Sequence, residues 1–115
     1  GRSISCIVET NSESKMSLSD EVNAESDLLS DVLINYVRNH SFKNNFRIRN
    51  NTEHQLYFDE IRIPWKDANG QNFLPDDFAR DFRKYIDQIC SAHLVQKLRM
   101  DKPVVSNGII RMLIP

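Results

Sequence analysis

The most reactive pairing in the chain is Cys90-x-x-His93. On a helix, positions i and i+3 face the same way, so a thiolate and an imidazole at this spacing could share a metal ion. A zinc site needs two further ligands. Cys6, His40 and His54 are the only other candidates, and none has a paired spacing. Cys90 and His93 also fall on the apolar stripe of their segment, so both are assigned to the core, and neither metal nor cofactor is expected. A nucleophilic cysteine is equally unsupported. Catalytic thiols need a lowered pKa and an oriented base, whereas Cys90 lies amid Ile86, Ile89 and Leu94. Two carboxylate pairs remain, Asp59-Glu60 and Asp76-Asp77. Neighbours on a strand point to opposite faces unless a bulge intervenes, and Asp76-Asp77 suit the positive end of a helix. With only Gly1, Gly70 and Gly108 available, no glycine-rich phosphate cradle exists. A non-catalytic domain is expected.

Binding chemistry is better represented. From Tyr36 to Arg49 the chain carries Arg38, Lys43, Arg47 and Arg49 and no acid. Aromatic residues interleave with these cations, a composition suited to phosphates and stacked bases. Arg62 and Arg111 would join them from other strands. The opposing reading is a wet sheet face whose arginines pair with Asp31, Glu53 or Asp59. Phe46 shares a strand face with Ile48 and is assigned to the core. A second surface is apolar: Ile61, Ile63 and Trp65, together with Ile109–Ile114, offer more β-branched and aromatic area than two helices cover. Such surplus at a sheet edge marks a partner, and Trp and Tyr are favoured anchors.

The elements that must position these residues follow from periodicity. Ser3–Glu9 contains β-branched residues and reads as a short strand. Thr10–Ser17 has no apolar period and reads as a flexible loop. From Ser17, Leu18, Val22, Leu29, Val32, Leu33, Tyr36 and Val37 trace one helical stripe, which predicts a helix from about Ser17 to His40. Phe46–Arg49 alternates as a strand, and Asn50–Glu53 reads as a turn. Leu56 and Phe58 share one face, and Ile61 and Ile63 are shifted by one. A β-bulge at Asp59-Glu60 would bring both sets to the same side. Asp67–Gly70 signals a tight turn, after which Asn72-Phe73 forms at most a brief strand. Pro75 opens the strongest helix, with Phe78, Phe82, Ile86, Ile89 and Cys90 on one side. Val104–Ile114 reads as a largely buried strand interrupted at Ser106-Asn107-Gly108.

The resulting fold class is α+β: an antiparallel sheet of three to five strands with two main helices, for which ferredoxin-like βαββαβ is one candidate order beside other arrangements of the same elements. The 115 residues fit one domain, with 1–16 as a short strand and flexible loop and 17–115 as the α+β domain itself. No apolar run is long enough to span a bilayer, so no membrane partner is expected. Two cysteines are too few for a disulfide framework and suggest free thiols in an intracellular setting, cytoplasm or nucleus. Gly1 in place of an initiator methionine reads as a cleavage scar, and the chain as a domain excised from a larger protein. Charge is uneven: residues 1–35 hold two basic and seven acidic side chains, the remainder thirteen and nine. The expected function is protein–protein interaction or homodimerisation through Tyr57, Ile63, Trp65, Arg47 and Arg49. The alternative is a small nucleic-acid-binding domain using Arg38, Lys43, Arg47, Arg49 and Arg62.

Overall fold

The computed structural model describes residues 1–115. The strand expected near the N-terminus, β1 (Arg2–Thr10), is the centre of the molecule. It pairs antiparallel with β3 (Gln55–Ile63) on one side and parallel with β5 (Ile109–Ile114) on the other. β2 (Phe46–Asn51) borders β3 and β4 (Val104–Ser106) borders β5, giving the sheet order β2-β3-β1-β5-β4. Residues 2–10 are thus not an attachment to the domain: Ile4, Cys6 and Val8 lie in its core.

The sheet is mixed, not purely antiparallel. The reason lies at Ser106-Asn107-Gly108. Asn107 (φ 53°) and Gly108 (φ 74°) both adopt left-handed backbone, the requirement of a two-residue hairpin turn. The last segment is therefore two strands rather than one interrupted strand. The hairpin reverses the chain, so the strand laid beside β1 runs parallel to it. The order becomes βαββαββ, one strand beyond the candidate βαββαβ. β5 is also not buried on both sides; its residues alternate strictly between exposed and buried.

The bulge at Asp59-Glu60 is present. Ile4 pairs with Ile61 and Cys6 with Phe58, so Asp59 and Glu60 together oppose the single residue Ser5. The extra residue resets the alternation, and Leu56, Phe58, Ile61 and Ile63 are all fully buried on one face.

That face is covered by two helices, α1 (Leu29–His40) and α2 (Pro75–Leu94). In α2, Pro75 occupies the first turn, and the Asp77 carboxylate accepts the Leu74 N–H at 2.9 Å. Phe78, Phe82, Ile86 and Cys90 form its buried side. Tyr36 of α1 stacks on Phe82 and Tyr85 of α2, with ring centroids 4.8 and 4.6 Å away. Burial, reinforced by nearby Asp81, pushes its phenol up to about 12.

The first helix is shorter than its apolar spacing predicts, beginning at Leu29 rather than Ser17. Side chains in the 17–28 segment capture the backbone first. Asp20 accepts the Ser17 N–H at 2.9 Å, and Asn23 Oδ1 accepts the N–H groups of Glu25 and Asp27. Ser26 takes a left-handed φ of 62°, incompatible with a continuing helix. The apolar residues still serve the core: Met16 and Leu18 are buried although neither is helical. Thr10–Ser17 is accordingly a structured connection, with the Ser14 hydroxyl donating to the Pro115 carbonyl at 2.7 Å.

Candidate functional site

Both helices pack on the Ile4–Cys6–Val8 side of β1. The opposite side of the sheet is bare, and pairing register identifies what lies on it. Ile7 stands between Tyr57 of β3 and Arg111 of β5. Glu9 stands between Gln55 and Leu113, and the Gln55 amide donates to the Glu9 carboxylate at 3.2 Å. Ile109, Arg111 and Leu113 are the exposed residues of β5, and Val104 of β4 lies beside Arg111. Ile7 is only 5% exposed although no helix covers it, and it does not belong to the main core.

This face has two halves. On β2 and β3 it is ionic. Arg47 Nε lies 3.0 Å from Asp59 Oδ1 and its NH2 3.5 Å from Glu60 Oε2, while Arg49 NH1 lies 3.8 Å from Asp59 Oδ2. The bulge makes this possible, because it presents two adjacent carboxylates to one arginine. The hydrogen bond from Arg47 holds the Asp59 carboxyl below the usual range, and Asp59 in turn raises Arg47. On β5 and β4 the face is aliphatic: Val104, Ile109 and Leu113 are 62%, 39% and 49% exposed. Arg111, among them, has no carboxylate partner.

The five residues expected to form an interface do not form one patch. Tyr57, Arg47 and Arg49 share the open face. Ile63 is fully buried, because the bulge turns it toward the helices, and it cannot meet a partner. Trp65 is 55% exposed but lies beyond β3, where the Arg2 guanidinium sits 4.7 Å from its ring. The basic set is divided as well. Arg38 lies over Phe46 at 5.4 Å and bonds Asn35. Phe46 packs edge-on against Phe58, as its strand pattern predicts. Lys43 lies over Phe42 at 5.3 Å, and Arg62 NH1 donates to the Gly1 carbonyl at 3.2 Å. The aliphatic half lies within Ile109–Ile114, which the sequence offers as surplus apolar surface; strand alternation divides it, leaving Ile109, Arg111 and Leu113 outside and Ile110, Met112 and Ile114 buried. The signal for that division was Arg111, which cannot sit in a doubly buried strand without a partner.

The reactive side chains are dispersed. Cys6 and Cys90 are buried free thiols. Burial raises both, Cys90 to about 12 with help from Asp87 and Asp20. His93 is not a core residue: it is exposed, with Nε2 4.0 Å from Asp20 Oδ2. No three His, Cys, Asp or Glu side chains converge in a metal-binding group. No helix is long and apolar enough to cross a membrane.

Fold and surface together define an α+β domain with a one-sided, five-stranded mixed sheet. The family described as Domain of unknown function (DUF6175) matches residues 2–110, and the chain belongs to that family. No curated protein and no solved structure matches the chain.

Proposed function

We propose that this is a non-catalytic interaction domain that self-associates through the helix-free face of its sheet. The observation carrying the proposal is the aliphatic group Val104, Ile109 and Leu113, exposed around the buried Ile7 on a face with no helix. Apolar side chains left exposed on an uncovered sheet face mark a contact surface, here with Arg111 set between Ile109 and Leu113 and opposite Val104. Charge favours a second copy as that partner. Arg111 lacks an anion, and Glu9, one diagonal step away on β1, accepts only an amide. A twofold stacking of two such faces would offer each Arg111 the Glu9 of the other protomer, the self-complementarity an isologous interface requires. The two buried free thiols support a reducing compartment as its site of action.

Sedimentation velocity across a wide concentration range tests this reading. A dimer that dissociates on dilution and is lost in Leu113→Asp is expected. A monomer at every concentration removes self-association. Nucleic-acid binding draws less support, because Asp59 and Glu60 already hold Arg47 and Arg49. An anisotropy titration at low salt decides it: saturable binding, steeply weakened by salt and lost in Arg47→Ala/Arg49→Ala, would favour that alternative.

A further inference from the structure

A cleft of about 640 Å³ separates the first half of α2 from the Arg99–Pro103 segment that leads into β4. We propose that it binds a small organic phosphate ester, with the phosphate on Arg83, Arg99 and Lys102 and the apolar body against Ala79, Pro103 and Val105. The site is distinct from the open sheet face and does not depend on self-association.

Charge is the first argument. Arg80, Arg83, Arg99 and Lys102 line the cleft against only Asp76 and Asp101. Arg80 is engaged by Asp77 at 3.2 Å and Asp81 at 3.3 Å. Arg99 and Lys102 have no carboxylate within salt-bridge distance. Two cations are therefore left for an anion from outside.

Preorganisation is the second. The Arg83 side chain is only 18% exposed and is held along one edge of its guanidinium. Its Nε and NH2 donate to the Met100 carbonyl, and Asp87 Oδ2 lies 3.6 Å from Nε. Asp87 Oδ1 also accepts the Met100 N–H at 2.9 Å, tying the 99–103 segment to the helix. NH1 of Arg83 has no partner within the chain and is not sealed from solvent. A guanidinium immobilised before the ligand arrives loses little entropy on binding. The backbone N–H groups of Asp101 and Lys102 also have no partner within the chain. Six of the ten lining residues are charged, four of them cations, and Ala79, Pro103 and Val105 give the cleft its apolar side.

Calorimetric titration of the full chain with phenyl phosphate and with inorganic phosphate, at low ionic strength, tests the proposal. Phenyl phosphate is expected to saturate one site and to bind about tenfold tighter than inorganic phosphate, because the apolar floor covers its ring. Arg99→Gln/Lys102→Gln should weaken it by about tenfold or more. Arg47→Gln/Arg49→Gln removes the same charge from the other face and should leave it unchanged. Both double variants alter exposed side chains. Amide NMR shifts induced by phenyl phosphate should concentrate at Asp101, Lys102 and the Ala79–Arg83 turn. Failure to saturate, equal weakening in both double variants, equal affinity for the two phosphates, or shifts spread over the sheet would each overturn the assignment.

Discussion

Shortening Leu113 to alanine removes aliphatic surface without disturbing the core, because the residue points away from both helices. Leu113 is 49% exposed. Full burial of a leucine is worth about 1.5–3 kcal/mol, so roughly half of that is still available to a partner. A twofold interface counts the residue twice, which brings the available stabilisation back to about 1.5–3 kcal/mol per dimer. Leu113→Ala should therefore raise the dimer Kd by about tenfold to a hundredfold. Leu113→Asp should abolish the dimer, since a carboxylate would be desolvated opposite its own copy. The assay is sedimentation velocity across a dilution series, with far-UV circular dichroism showing an unchanged fold. Val95→Asp is the control: Val95 is 90% exposed, lies at the end of α2, and should leave association unaltered. If wild type dimerises and Leu113→Asp dimerises equally well, the open face is not the interface and the argument fails.

Four further outcomes follow from the geometry. In urea unfolding, Phe82→Ala should cost about 3–5 kcal/mol, whereas Ile7→Ala on the open face should cost about 1–2 kcal/mol, because a side chain on an open face leaves no sealed cavity; equal costs would mean that the second face is enclosed too. Val95 caps α2 in left-handed backbone at φ 52°, so Val95→Gly should stabilise the domain by about 1 kcal/mol and raise its Tm. Because Asp59 titrates below its unfolded value, its contribution is full above about pH 4 and is lost as pH falls through the lowered folded pKa; Asp59→Asn should flatten the acid side of the stability–pH curve, and an unchanged curve would refute the Arg47 linkage. Cys6 and Cys90, buried and raised in pKa, should react with Ellman's reagent at mildly alkaline pH only as fast as the protein opens, which a urea series would show.

Local chemistry made much of the fold legible. The α2 segment announces itself through Pro75, two acids in its first turn and a regular apolar stripe. The bulge at Asp59-Glu60 was readable because two apolar pairs fall on opposite parities, and only an inserted residue reconciles them. The start of α1 was not readable from spacing alone. Leu18 and Val22 fit a helical period, yet Asp20 and Asn23 bind the backbone locally and break it. Leu18 reaches the core from a loop, a route that periodicity cannot distinguish from a helix face.

Composition and pattern thus determined the α+β class, the bulge that aligns the apolar residues of β3, the apolar side of α2 and the burial of Cys90. Tertiary structure decided what no local rule contains: that β1 is central, that the final hairpin places β5 parallel beside it, and that both helices share one side. Pairing partners are chosen by the whole chain, since strand hydrogen bonds join segments distant in sequence. The division of arginines between paired and unpaired, and of isoleucines between Ile63 inside and Ile109 outside, follows from that choice.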